Sequence, residues 1–195
     1  DEFLSIIQKE SRKLVRLADD ILSISRTQSD DEQSLQISDC ELAALGQEEI
    51  DLLHRGIQLH QVTVSNKIPK DVTVQTDSQQ LGQIIKNLVA NGIRYNHPHG
   101  QVTLSYAETN NRWQLIVEDD GIGIAADEQH KVFERFYRVS SNKSGELISG
   151  TGLGLPIVAE SVKNLGGEIR LNSEVGKGSK FILTFPKTWH PNTEI

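Results

Sequence analysis

The chain has 195 residues, of which 36% are hydrophobic, enough to form the core of one domain with an additional element. The net charge of -7 and the lack of a basic stretch exclude nucleic acid and anionic membrane surfaces as good partner candidates. The single Cys40 excludes an internal disulfide, and no apolar run approaches the length of a membrane span. Because the sequence contains no Met, we expect a piece of a longer polypeptide.

The N-terminal part of the chain is predicted to be a helix followed by a linker. Apolar residues recur at steps of three, four or seven from Phe3 to Ile24, which predicts an amphipathic helix over residues 1–26. Such a seam suits packing against another helix, including in a dimer, and a helix folded back on its own domain is the alternative. The polar, acidic stretch up to Ser34 is typical of a linker or loop.

The next segment is predicted to contain a short strand and a helix. Leu35–Ile37 is the predicted strand. Ser38 and Glu41 have the spacing of a capping box, which predicts a helix from Leu42 that ends near Gly56.

The rest of the chain mixes strands with helices. Asp77 is predicted to cap a long helix, and a further helix is predicted to run to about Leu165, where Gly166 and Gly167 stop it. Alternating apolar residues predict six more strands, at 61–65, 71–75, 102–106, 113–117, 169–171 and 181–185. Strand and helix do not alternate regularly, which argues against a Rossmann fold. We predict a two-layer α/β sandwich, with a mixed, mostly antiparallel sheet on about three helices.

The first of three ordered motifs lies at the end of the helix that Asp77 caps. Asn87 and Asn91 are four residues apart and therefore share one helix face. An amide oxygen is a hard, neutral ligand suited to Mg²⁺, and Arg94 can pair with phosphate oxygens. Asn91 is the candidate metal ligand; polar residues at an ordinary helix end are the alternative.

The second motif begins with Asp119 at the end of a predicted strand. An ionised carboxylate only accepts hydrogen bonds, so it can accept from the exocyclic amine of adenine, whereas guanine offers a carbonyl there. Gly121 and Gly123 would let the backbone pass close to the base. The alternative is an acidic hairpin turn.

The third motif contains Gly150, Gly152 and Gly154 and leads into the last predicted helix. Unpaired amides at a helix N-terminus favour anions, and missing side chains allow a phosphate to approach. The polar stretch 139–149 is predicted to be a mobile lid over the phosphates. An ordinary junction between a loop and a helix is the alternative.

Together these motifs resemble those of a known family. The chain is similar to the ATP-binding domain of two-component sensor histidine kinases, within the superfamily that includes gyrase, heat-shock chaperone and mismatch-repair ATPases. The family's N, G1, F and G2 boxes match Asn87–Tyr95, Asp119–Ile124, Phe133–Arg138 and Gly150–Leu155, respectively. The resemblance implies a Bergerat ATP-binding fold of the GHKL type.

The resemblance implies a role for each matching position. Asn91 would bind Mg²⁺, Asp119 would hold adenine, and the glycines of the third motif would line the phosphates of ATP. The implied ATP-binding residues are Asn87, Asn91, Arg94, Tyr95, Asp119, Gly121, Gly123, Ile124, Gly150, Thr151, Gly152, Leu153 and Gly154. The implied catalytic residues are Asn87, Arg94, Arg135 and Arg138.

One departure from the family pattern and one difference within the superfamily matter here. Gly92 stands where Ala is usual, which is expected to loosen that helix end. The ATPase branch of the superfamily has Glu, a general base for water, at the position of Asn87. An amide cannot take a proton in that role, which favours phosphoryl transfer to a protein over ATP hydrolysis.

The resemblance also implies partners and a domain organisation. The γ-phosphoryl would pass to a His on a dimerisation helix, and then to an Asp of a response regulator receiver domain. The full-length protein would be a homodimer, cytoplasmic or anchored in the inner membrane. The implied division is a truncated dimerisation and histidine-phosphotransfer helix at 1–27, a linker at 28–34, the catalytic ATP-binding domain at 35–187 and a tail at 188–195.

None of the six His residues lies in a phosphoacceptor motif. We therefore expect a catalytic fragment that binds Mg-ATP without labelling itself. Two alternatives are a GHKL-type ATPase or protein serine kinase, and a nucleotide-binding interaction module without catalysis.

Overall fold

The computed structural model of the chain describes residues 35–138 and 151–188, together with Ser11. The helix and linker predicted before residue 35, the lid predicted at 139–149, Gly150 and the tail from residue 189 lie outside this described part.

A five-stranded mixed sheet forms one layer of the domain, in the order β2-β4-β5-β7-β6. Strand β2 (Thr63–Asn66) pairs in parallel with β4 (Gln101–Glu108). The other pairs are antiparallel and join β4 to β5 (Arg112–Asp119), β5 to β7 (Gly178–Pro186) and β7 to β6 (Glu168–Glu174). The antiparallel pair predicted around residues 102–117 and the final hairpin are both confirmed.

A second, two-stranded sheet joins β1 (Ile37–Glu41) to β3 (Thr73–Asp77) in antiparallel register. Strands β2 and β3 are neighbours in the sequence but belong to different sheets. Residues 67–72 therefore carry the chain from one sheet to the other.

Four α-helices are present in the described part, where about three were predicted. They are α1 (Leu42–Leu52), α2 (His54–His60), α3 (Ser78–Arg94) and α4 (Gly154–Asn164). A short 3₁₀ helix spans Lys131–Phe133. The predicted sandwich of a mixed, mostly antiparallel sheet and a helical layer is confirmed.

The core lies between the helices and one face of the large sheet. Alternate residues of β4, β5 and β7 are buried, and Trp113 stacks on Phe185 with ring centroids 4.6 Å apart. The apolar face of α3 supplies Leu81, Ile84, Ile85, Leu88 and Val89, all of them buried. Helix α3 is therefore the central helix of the domain, and its C-terminal end is held firmly against the sheet.

The capping box predicted at residues 38–41 is wrong. These residues belong to β1, where Ser38 lies opposite Thr76 and Glu41 opposite Thr73. Glu41 occupies the N-cap of α1, but its side chain makes no capping hydrogen bond. The first helix also ends before Gly56, which lies inside α2. The predicted helix is instead two helices, α1 and α2, separated at Leu53.

The predicted ends of the two site-bearing helices are confirmed. The Asp77 carboxylate accepts a hydrogen bond from the Gln80 N–H at 3.0 Å and so caps α3. Gly166 follows α4 with φ +70°, the left-handed conformation that commonly ends a helix.

Candidate functional site

The last two turns of α3 face the beginning of α4. A Cβ added at Gly154 would lie 3.6 Å from Asn87 Oδ1 and 3.9 Å from Asn91 Nδ2. Asn91 and Gly154 are 63 residues apart in sequence, and the first and third motifs thus meet at one place. The Asn87 Nδ2 atom is buried and has no hydrogen-bond partner. A buried, unpaired amide donor is costly, and an acceptor such as a phosphate oxygen would satisfy it.

Asp119, the first residue of the second motif, ends β5 and lies opposite Ser179 of β7. Its Oδ1 accepts hydrogen bonds from the Gly121 N–H at 3.0 Å and the Ser179 N–H at 3.3 Å. Burial raises the pKa of Asp119 to about 6, although these two hydrogen bonds lower it; the nearby Asp120 and Glu118 raise it further. The carboxylate is therefore mostly ionised at neutral pH and acts as an acceptor in a partly desolvated position.

The end of α3 also touches the second motif. A Cβ added at Gly92 would lie 3.5 Å from the Asp119 Cβ and 3.0 Å from Val102 Cγ2. Beyond the helix, the Tyr95 carbonyl accepts a hydrogen bond from the Ile122 N–H at 3.0 Å. Gly92 therefore serves close packing of α3 on the sheet, which is the opposite of the loosening expected from the sequence.

The turn after Asp119, residues 121–124, requires both of its glycines. A Cβ at Gly121 would lie 2.5 Å from the Tyr95 carbonyl oxygen. Gly123 has φ +67°, and a Cβ there would overlap the Glu174 carbonyl oxygen. Backbone from α3 and from the β6–β7 hairpin thus closes on the turn from two sides.

The third motif makes direct contact with the F-box segment. Gly152 has φ +74°, and a Cβ there would lie 2.9 Å from the Phe136 Cα. The Gly152 carbonyl accepts a hydrogen bond from the Phe136 N–H at 2.9 Å, and the Leu153 N–H donates to the Thr151 hydroxyl at 3.3 Å. Leu153 is fully buried, which anchors the start of α4 next to the exposed Phe136.

The three arginines predicted as catalytic lie around this region. Arg94 is the last residue of α3 and is half-buried. Arg135 forms an ion pair with Glu160 of α4, with 3.6 Å between Nη2 and Oε2. Arg138 is the last residue described before the gap at 139–150.

Sequence reasoning missed three side chains that support the site. Ser179 donates its backbone N–H to Asp119, and its hydroxyl lies 3.0 Å from that of Ser173. The Gln129 side chain reaches both the turn after Asp119 and strand β6. Ser179 directly follows the glycines at 176 and 178, a local signal of a turn, whereas nothing in the sequence singled out Ser173 or Gln129.

The residues present fit a magnesium ion that is shared with phosphates. Within residues 35–138 and 151–188, no three His, Cys, Asp or Glu side chains form a metal-binding group. A Mg²⁺ ion here would therefore rely on the Asn91 amide oxygen, on phosphate oxygens and on water. The side-chain atoms nearest the opening opposite Gly154 are Asn87 Oδ1 and Asn91 Nδ2, so the Asn91 amide would turn about its last torsion to present its oxygen to the ion.

Comparison with protein families agrees with this arrangement. The model of the family described as histidine kinase-, DNA gyrase B-, and HSP90-like ATPase matches residues 76–188, more than half of the chain. The sensor histidine kinase WalK of Bacillus subtilis is 33% identical over 94% of this chain. RppB of Synechocystis, also a sensor histidine kinase, is 33% identical over 94% of the chain.

The chain belongs to the family of histidine kinase-, DNA gyrase B-, and HSP90-like ATPases. The relatives identify its class as the ATP-binding domain of a sensor histidine kinase, as predicted. The chain spans 30% of the length of WalK and 40% of that of RppB.

Two solved structures share the fold of this chain. Full-length ShkA, solved in complex with AMPPNP, aligns with a TM-score of 0.79 and 22% identity over 97% of this chain and 40% of its own. The histidine kinase ThkA, solved in complex with the response regulator TrrA, aligns with a TM-score of 0.74 and 23% identity over 96% of this chain and 51% of its own. In the described part of our chain, no helix has both the length and the apolar character needed to span a bilayer.

Proposed function

We propose that the chain binds Mg-ATP between α3, the turn after Asp119 and the start of α4, and serves as the catalytic domain of a histidine protein kinase. The observation that carries the proposal is the meeting of three separate motifs at the end of one helix. Gly154 faces Asn87 and Asn91, while Gly92 and Tyr95 contact the segment that begins with Asp119.

At the base end, Asp119 would accept a hydrogen bond from the exocyclic amine of adenine. Its Oδ1 is already engaged by two backbone N–H groups, which hold the carboxyl group in place and leave Oδ2 for the ligand. Gly121 and Gly123 would let the base lie against the backbone of the turn, and Ile124 would supply apolar surface beside it. Guanine would present a carbonyl to the carboxylate, so we expect ATP to be preferred over GTP.

At the phosphate end, the Asn87 amide would donate to a phosphate oxygen, and Asn91 would hold Mg²⁺. When bound, the ion would neutralise phosphate charge. Arg94, Tyr95, Arg135 and Arg138 would add cationic or hydrogen-bonding groups. The backbone of Gly150, Thr151, Gly152, Leu153 and Gly154 would line the phosphates at the start of α4.

The reaction proposed is in-line phosphoryl transfer. A neutral imidazole nitrogen of a His on a dimerisation helix attacks the γ-phosphorus, the bond to the β–γ bridging oxygen breaks, and ADP leaves. Asn87 has no basic group with which to activate water, so a positioned protein nucleophile is favoured over hydrolysis. Catalysis would come from positioning and charge neutralisation.

The partners follow from the same proposal. The acceptor helix would belong to the same or a second copy of the full-length protein, as a homodimer, and the phosphoryl group would pass on to a response regulator receiver domain. The ThkA complex with a response regulator supports this choice of partner. A cytoplasmic location remains a prediction.

The test supplies a separate dimerisation hairpin that carries a phosphoacceptor His, together with γ-labelled ATP. We expect acid-labile labelling of the hairpin by the wild-type chain, with no label on the chain itself. Asn91→Ala should reduce labelling at least about a hundredfold, which is a typical loss for one electrostatic contact made in the transition state. Asn172→Ala, an exposed Asn on β6, is the matched control and should label normally.

Two outcomes would contradict the proposal. Release of phosphate without any partner would favour the ATPase alternative. Tight Mg-ATP binding with no label on the hairpin would favour a nucleotide-binding module without catalysis.

A further inference from the structure

The turn at residues 121–124 is held by two side chains that lie outside every sequence motif. We propose that Gln129 and Ser173 are positioning residues for base recognition, because they fix the backbone against which adenine would lie. This inference rests on the proposed function, since it requires an adenine nucleotide to bind at Asp119.

Both backbone polar groups of Ile124 are taken up by these two side chains. The Ile124 N–H donates to the Ser173 hydroxyl at 2.8 Å, and the Ile124 carbonyl accepts from the Gln129 side-chain amide at 3.1 Å. The same Gln129 amide donates to the Ser173 carbonyl at 2.8 Å. The turn, Gln129 and strand β6 are thus joined in one network, in which both amide hydrogens of Gln129 are used.

The network continues to the carboxylate that would bind the base. The Ser173 hydroxyl donates to the Gly178 carbonyl at 2.8 Å and lies 3.0 Å from the Ser179 hydroxyl. Ser173 has one hydroxyl hydrogen, so the Ser179 hydroxyl is the donor of the second contact. Ser179 in turn donates its N–H to Asp119 Oδ1. Ser173 therefore supports both ends of the recognition surface, the turn and the carboxylate.

Gln129 connects this surface to the F-box segment. It lies two residues before the 3₁₀ helix Lys131–Phe133, and its neighbour Glu128 accepts a hydrogen bond from the Tyr137 hydroxyl at 3.1 Å. The Gln129 amide consequently fixes the distance between the base end of the site and the start of the segment that contacts Gly152.

The remaining hydrogen bonds of the turn come from main chain or from Asp119 itself. The Ile122 N–H donates to the Tyr95 carbonyl, and the Ile122 carbonyl accepts from the Gly176 N–H at 2.8 Å. These bonds survive side-chain substitution, so a variant of Gln129 or Ser173 should keep the turn folded but less exactly placed. Precise placement matters for discrimination between bases, because it depends on directional hydrogen bonds.

The experiment measures dissociation constants for Mg-ATP and Mg-GTP by calorimetry, with thermal melting of each variant. Gln129→Leu and Ser173→Ala should each weaken ATP binding by about fivefold to tenfold, the size expected for loss of one or two hydrogen bonds. GTP affinity should change less than about twofold, since guanine does not use the Asp119 contact in the same way. Gln129→Glu should weaken ATP binding more than Gln129→Leu, because a carboxylate would face two carbonyl oxygens.

The matched control is Gln114→Leu. Gln114 is half-buried on β5 and donates to the Thr184 hydroxyl at 3.2 Å, on the other side of the sheet from the core. The Gln114→Leu variant should have about the same melting temperature as Gln129→Leu and should bind ATP as tightly as wild type. Equal losses of ATP and GTP affinity, or ATP affinity at the wild-type value in both variants, would overturn the inference. A wild-type chain that binds no Mg-ATP would instead contradict the proposed function.

Discussion

The base end and the phosphate end of the candidate site are built differently. At the base end, the turn after Asp119 is bound to α3, to the β6–β7 hairpin and to Gln129 by hydrogen bonds of 2.8 to 3.1 Å. At the phosphate end, the buried Asn87 amide nitrogen has no partner, and Phe136 beside Gly152 is 65% exposed. The protein itself completes the surface that would select the base, while the phosphate end presents groups that a ligand or partner would satisfy.

The largest expected effect comes from the rigid base end. Gly123→Ala places a Cβ against the Glu174 carbonyl at a left-handed φ, so we expect it to lower the free energy of unfolding by about 3 kcal/mol or more. Gly176→Ala is the control, because Gly176 has φ +79° but nothing within 4 Å of an added Cβ. The Gly176→Ala substitution should lower the free energy of unfolding by only about 1 kcal/mol. Urea denaturation measures the free energy of unfolding of both variants. Equal losses in the two variants would show that the close approach of the Glu174 carbonyl in β6 does not contribute to the effect.

The half-buried carboxylate of Asp119 should make the stability of the base end sensitive to pH. The pKa of Asp119 is raised from 3.8 to about 6, so the folded state binds the proton more tightly than the unfolded state. The stabilising contribution of this group is therefore fully present below pH 4 and is lost as the pH rises through 6. Asp119→Asn mimics the protonated form, and its stability advantage over wild type should grow to at most about 3 kcal/mol between pH 4 and 7.

Chemical denaturation at several pH values measures this difference. Asp120→Asn changes an exposed neighbour and should leave most of the dependence of stability on pH in place. The pH at the midpoint of that dependence should be lower, because one of the charges that raise the pKa of Asp119 is gone. An advantage of Asp119→Asn that does not vary between pH 4 and 7 would mean that burial of the charge has no cost.

At the phosphate end, substitution should affect the ligand and spare the fold. A Cβ at Gly154 would make only ordinary contact with Asn87, at 3.6 Å, so Gly154→Ala should fold with unchanged or slightly higher stability. The added methyl would occupy the opening towards Asn87 and Asn91, and we expect Mg-ATP affinity to fall about tenfold.

Gly56→Ala is the matched control for that variant. Gly56 lies in α2, where an added Cβ would be 3.7 Å from Ile93 Cγ2, and it should gain similar stability without any change in ATP affinity. Calorimetry and melting of the pair separate the two effects. Normal ATP affinity in Gly154→Ala would remove this opening from the phosphate site.

The smallest effect is expected at the flank of α4. Arg135 and Glu160 are 3.6 Å apart and partly exposed to solvent, so Arg135→Gln should cost no more than about 0.5 kcal/mol of stability. If Arg135 acts on the γ-phosphate, labelling of the hairpin should fall far more in Arg135→Gln than in Glu160→Gln. Equal labelling by the two variants would contradict a role for Arg135 at the γ-phosphate.

Local signals predicted the central parts of the site. The apolar period of α3, the Asp77 cap and the glycines before α4 are features of neighbouring residues, so the sequence indicated where these elements begin and end. The three motifs also indicated which positions would meet, although the meeting itself depends on the tertiary structure.

Long-range pairing accounts for what could not be predicted. The capping-box spacing at Ser38 is a real local pattern, but pairing of β1 with β3 overrides it. Ser173 lies 49 residues from Ile124, and Gln129 lies 44 residues from Ser173. A serine in a polar strand and a glutamine before a short helix carry no local pattern that distinguishes them from surface residues.

The contact between Asp119 and Ser179 links two positions 60 residues apart, and Ser179 belongs to the final strand. On the ribosome, the nascent chain would carry its first two motifs well before β7 emerges. Contacts between distant positions form late, because the chain must first close a long loop. The newly made domain should therefore remain unable to recognise adenine until β7 has been synthesised, however early its first two motifs appear.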